Sequence, residues 1–214
     1  MNANIFMHEF RSRLHSALIW GMAGLAVALV YLSFFPSFAE NAALLNQAMK
    51  NFPPELLAAF GMTDIDLSQL LGFFTFVYLF LQILMAIQAS NYGFALVSVE
   101  ERELTADFLL SKPVSRPQIL TSKLLAALAD LAITQTIVWA SVYILVIIFK
   151  GDSSVDYGFL ARMMAGLIPF QLFFLSVGLV ISLLVKRVRS VTPYSMGLAF
   201  GMYVLVSVLK CVGE

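Results

Sequence analysis

The chain has 214 residues, of which 60% are hydrophobic and 12% charged, with a mean hydropathy of +0.88. Soluble domains carry about a quarter of their residues as charged side chains, so lipid must be the solvent for much of this surface. Thirteen basic residues balance thirteen acidic ones, which excludes the basic field of a nucleic-acid-binding protein; a lone cysteine, Cys211, excludes an internal disulfide or a cysteine-ligated metal.

At the N-terminus, Phe6, Phe10 and Leu14 recur at i, i+4 and i+8, with Glu9, Arg11 and Arg13 on other faces. This stripe predicts an interfacial helix over residues 1–16 that leads into the first span. A hydrocarbon core of about 30 Å needs roughly 20 apolar residues per helix. Five stretches qualify: 17–35, 70–97, 131–149, 163–185 and 191–209, with the third and fourth helices beginning at about 119 and 159. Backbone groups in lipid must pair within their own segment, so these stretches read as helices even where β-branched residues crowd. The fold class expected is therefore all-α, a single polytopic bundle. Ser37-Phe38-Ala39 has the form of a signal-peptide cleavage site, but the apolar stretch before it is too long for a signal peptide, and an uncleaved anchor is expected.

The first connection carries Pro53-Pro54, and Asp66 is placed to cap the second span. Asp64-x-Asp66 reads as caps and turns, not as a metal pair. A cytoplasmic N-terminus in the cell membrane would place nine Lys and Arg residues inside and four outside, the asymmetry expected of inner loops.

Enzyme chemistry finds no purchase in the spans. His8 and His15 are the only histidines and both precede the first span. No H-E-x-x-H or G-x-S-x-G motif is present, and no catalytic, cofactor-binding or metal-ligating residue is assigned. Asp130 lies near the inner boundary, because 131–149 already measures about 28 Å as a helix, and it is expected to face Lys123. Gln82, Gln88, Asn91, Gln135 and Gln171 are neutral polar residues inside spans and are expected to bond helix to helix. Gly197-x-x-x-Gly201 permits close backbone approach, either at a dimer face or within one subunit. Pro169 is expected to kink the fourth span and leave a carbonyl that needs another donor.

The most polar stretch, 98–118, separates the second and third spans. Glu100, Glu103 and Asp107 form an acidic stripe beside an apolar pair, Leu104 and Phe108. Pro113 halts this helix, and Ser115-x-x-Gln118 opens the next as a capping box. By pattern alone the segment is either a solvated loop helix or a docking surface.

The run from Glu100 to Arg116, with its acidic stretch, Thr105, Leu109-Leu110 and Pro113-Val114-Ser115-Arg116, resembles the first cytoplasmic loop of type-2 ABC exporter permeases, and Lys123 matches their lysine at the opening of the third span. The resemblance implies a coupling helix that docks on a separate ATP-binding subunit through Glu100, Glu103, Thr105, Asp107, Leu109 and Leu110. Leu104 and Phe108 would supply apolar docking area, and Lys186, Arg187 and Arg189 a second contact. It further implies pairing with a second permease subunit in a homo- or heterodimer. The chain has no G-x-x-x-x-G-K-[ST] loop, so ATP and Mg would be bound by the partner. The family has six spans, and the sixth is expected to be missing here. An alternative is a non-transporting scaffold or immunity-type subunit that assembles with other membrane or ATPase proteins.

Overall fold

The computed structural model describes residues 2–41, 47, 51–53, 57, 66–67, 69–103, 115–151, 153–185 and 190–212, with backbone alone at 97–103, 116 and 210–212. Five helices, α1 (Ala3–Glu40), α2 (Leu70–Glu103), α3 (Arg116–Phe149), α4 (Tyr157–Leu184) and α5 (Val191–Val212), account for most of them, and no strand occurs among the described residues. All five are long and apolar enough to cross a membrane. Their outer faces are apolar too: Ile148 is 62% exposed and Leu184 76%, an arrangement stable only against lipid. The chain is a multi-pass membrane protein.

The N-terminal segment differs from the interfacial helix expected over 1–16. Residues 3–16 are the opening turns of the same unbroken 38-residue helix that forms the first span. At about 1.5 Å per residue it is ~57 Å long, nearly twice the hydrocarbon thickness. Nothing between Phe10 and Ala17 breaks a helix; Glu9 and Arg13 find partners within the bundle, while Arg11 stays exposed. Asn2 caps the helix by accepting from the Asn4 N–H at 3.0 Å.

Other ends are equally explicit. At α3, the Gln118 side chain accepts from the Ser115 N–H at 3.2 Å, one arm of the expected capping box. Gly151, at φ +52°, then turns the chain away from the last residues of α3 in a conformation that side chains rarely adopt. Asp156 caps α4, its Oδ1 accepting from Gly158 and Phe159 at 2.8 and 3.0 Å. Asp66 Oδ2 accepts from the Gln69 side chain at 3.2 Å just ahead of α2.

Packing sorts the helices into pairs. α1 lies mainly along α3, and α2 along α4, with α5 set against α2. The α2–α4 contact is backbone to backbone: a Cβ on Gly93 would run into the Leu175 carbonyl, and one on Gly178 would lie 2.8 Å from the Ser90 carbonyl oxygen. Ser182 Oγ also donates to the Phe94 carbonyl at 3.2 Å. The pairs meet along a seam between α1 and α2. At one end of it Tyr31 stacks on Phe80 at 4.7 Å, and Phe35 and Phe38 both contact Phe73. At the other end the seam is polar.

Pro169 sits inside α4 without a break in the helix. In the turns before it, the Tyr78 hydroxyl donates to the Met163 carbonyl at 2.6 Å and Gln135 Nε2 to the Met164 carbonyl at 3.2 Å. Both carbonyls lie ahead of that of Ala165, the one that the missing Pro169 N–H leaves without its helical donor, so the neighbouring helices bond α4 beside that gap.

Candidate functional site

The polar end of the seam lies where α1 begins, α2 finishes and α3 starts. Lys123 is its centre. Its side chain is 3% exposed, and the ammonium lies 3.7 Å from Glu9 of α1 while donating to the Leu96 carbonyl of α2 at 3.2 Å. One residue of α3 therefore holds two other helices. Glu9 Oε2 in turn accepts from Arg13 Nη2 at 2.9 Å, with both side chains mostly buried. Next to Lys123, Ser122 Oγ accepts from the Asn2 N–H at 2.9 Å and donates to the Gln118 carbonyl, which fastens the start of α1 to the start of α3.

Asp130 is fully buried, and neither carboxyl oxygen has a hydrogen-bond partner. The expected approach of Lys123 to Asp130 does not occur. Helical side chains lean toward the helix N-terminus, so Lys123 leans away from a residue seven positions later, and Glu9 receives it instead. Arg13 Nη1 is also buried without a partner.

Beyond these charges the polar column becomes neutral. Tyr92 Oη lies 3.5 Å from both Ser16 Oγ and Gln88 Nε2. Gln88 donates to Thr134 Oγ1 at 2.7 Å, and Thr134 donates to the Ala17 carbonyl at 3.1 Å. The column joins α1, α2 and α3 from the end of the bundle to well inside it. It is built to hold these helices in register and has no arrangement of nucleophile and base.

The residues singled out by sequence are placed as follows. Glu100 and Glu103 lie on the final turns of α2. Leu104, Thr105, Asp107, Phe108, Leu109, Leu110, Lys186, Arg187 and Arg189 lie outside the described residues. Gly197 and Gly201 are exposed on α5, with open space where a Cβ would stand, whereas Gly93 and Gly178 make the close approach inside the chain. Gln88, Gln135 and Gln171 each bond to another helix, Gln171 through the Met85 sulfur at 3.3 Å. Sequence reasoning missed Glu9 and Arg13 as bundle residues. Their i, i+4 spacing was the one available signal, and it says nothing about which face turns inward.

No curated protein and no solved structure matches the chain at a significant level. The family model described as "ABC-2 family transporter protein" matches residues 3–212, nearly the whole chain. The protein belongs to the ABC-2 transporter family and is a membrane permease component of an ABC transporter.

Proposed function

We propose that this chain is the membrane half of an ATP-driven exporter. It takes up force from a separate ATP-binding subunit through the segment 98–118 and works as a dimer with a second permease subunit. The observation that carries this reading is the position of Lys123. Near the start of α3 a buried ammonium reaches both α1 and α2, so a force applied to the start of α3 reaches three helices together.

In this reading the N-terminus is cytoplasmic, and Leu104, Phe108, Leu109 and Leu110 supply the docking area. Glu100, Glu103 and Asp107 set orientation and association rate more than affinity. Lys186, Arg187 and Arg189 form a second contact. ATP and Mg are held by the partner, in keeping with the missing phosphate-binding loop. The exposed Gly197/Gly201 face of α5 is offered to the second permease subunit.

The test is purification from the native membrane in mild detergent, with mass spectrometry of what accompanies the chain. A Walker-type ATPase is expected to copurify and to be lost in the double variant Leu109→Asp/Leu110→Asp, while membrane insertion is retained. ATPase recovery unchanged in that variant would remove the docking surface. Recovery of an ATPase without ATP-dependent substrate movement in proteoliposomes would leave a scaffold.

A further inference from the structure

The outward face of α1 carries two kinds of residue in sequence. His8, Arg11 and His15 are exposed on it at i, i+3 and i+7, and Leu18, Ile19 and Met22 are exposed just after them. At 3.6 residues per turn the first three fall within about 60° of one another, and the apolar three continue the same ladder.

Charge is sorted across this helix. Glu9, the one acid between Asn2 and Ser16, turns into the bundle and is taken up by Arg13 and Lys123. Arg11 and the two imidazoles therefore have no acid on their own face. None of the three makes a hydrogen bond or an ion pair among the described residues.

Depth decides what this face can meet. Leu18 opens the unbroken outward apolar ladder, and at ~1.5 Å per residue His15 stands about 4.5 Å beyond it and Arg11 about 10 Å. The polar layer on each side of the hydrocarbon is about 5–7 Å thick, half the difference between the full bilayer and its core. His15 thus lies in the headgroup layer, and Arg11 lies within a side chain's length of it.

We infer that this face binds an anionic phospholipid of the adjoining leaflet, its phosphate held by Arg11 and His15 and its acyl chains laid along Leu18, Ile19 and Met22. A guanidinium takes a phosphate in a two-bond fork, and an exposed imidazole N–H donates to a phosphate oxygen. His8, one turn further out than Arg11, stands where the headgroup ends. The ammonium of a zwitterionic headgroup would meet a cation here and no carboxylate, so the face selects lipids of net negative charge. A free phosphate would leave the apolar half of the ladder unused. The site needs no ATPase and stands or falls separately from the docking surface.

The test uses the full chain in phosphatidylcholine vesicles containing a trace of phosphatidylglycerol or of phosphatidylcholine, each with a photoactivatable diazirine in its acyl chain. Phosphatidylglycerol is expected to label residues 15–26 about fivefold more than phosphatidylcholine, the scale of one basic contact at a membrane surface, and unlabelled phosphatidylglycerol should compete. Arg11→Gln should remove most of that preference, and Arg11→Gln/His15→Gln all of it. Arg11→Lys, which keeps the charge and loses the fork, should retain the larger part. Neither side chain bonds within the described chain, so these variants report the lipid and not the fold. Arg162→Gln, which removes an exposed arginine from the start of α4, should leave the labelling of α1 unchanged. Equal labelling by the two lipids would overturn the inference, as would a preference that survives the double variant. Competition by inorganic phosphate as effective as that by phosphatidylglycerol would mark a free-anion site instead. Crosslinks from residues 8–15 to another protein in the native membrane, in place of lipid, would make the face a protein contact and overturn it too.

Discussion

The ammonium of Lys123 on α3 lies 3.7 Å from the Glu9 carboxylate on α1. Taking either charge away leaves the other mostly buried. Lys123→Met is expected to lower stability by about 3 kcal/mol, the cost of breaking a buried pair from one side. Glu9→Gln should cost less, since Glu9 is 19% exposed. A double-mutant cycle on thermal unfolding in detergent should show the pair costing less than the sum of the singles. Strict additivity would mean that the two charges are not coupled.

Asp130 is predicted to oppose stability. Its carboxyl is fully buried with both oxygens unpartnered, so Asp130→Leu should raise stability by about 1–2 kcal/mol, seen as a higher melting temperature. A lower melting temperature would show that the carboxyl has found a partner in the membrane.

The glycines divide into two groups with opposite expectations. Gly93→Ala and Gly178→Ala force α2 and α4 apart and should each cost about 2 kcal/mol, the scale of overpacking. Gly197→Ala and Gly201→Ala meet nothing within 4 Å and should leave monomer stability unchanged. Their effect, read by light scattering of the purified protein, should fall on self-association.

Tyr78→Phe removes the donor to the Met163 carbonyl shortly before Pro169 and should cost about 1 kcal/mol. In a Pro169→Ala background the cost should be the same, because the N–H that Pro169 lacks would bond the Ala165 carbonyl and not that of Met163. A smaller cost there would show that the proline disturbs the helix back to Met163.

The five spans were legible because each is an apolar stretch long enough to cross the bilayer, and lipid leaves such a stretch no other regular structure. The roles of Gln88, Gln135 and Gln171 were legible as well, because an amide in lipid must bond to something; which partner it bonds was not. The continuity of α1 was hidden by Glu9, Arg11 and Arg13, which read locally as a polar face for water. Two of them turn inward, where Glu9 meets Lys123, more than a hundred residues away in sequence. The close helix contact was hidden for a similar reason. Gly197-x-x-x-Gly201 has a local signature and faces outward, whereas Gly93 and Gly178 come singly from different helices and share no spacing. Most of the 98–118 contact residues fall outside the described structure, so sequence is what speaks for them.

The seam between α1 and α2 is fastened differently at its two ends, and that difference dictates how the helix pairs can move. Interlocked rings such as Tyr31 on Phe80 and Phe35 on Phe73 cannot slide without opening voids. At the polar end the contacts that cross between the pairs are single hydrogen bonds, from Lys123 to the Leu96 carbonyl, from Tyr92 to Ser16 and from Gln88 to Thr134, which can lengthen or trade partners over a few ångströms. A rotation of the α1–α3 pair against the α2–α4 pair would therefore pivot on the aromatic end and swing widest at the charged end, next to the connection from α2 to α3.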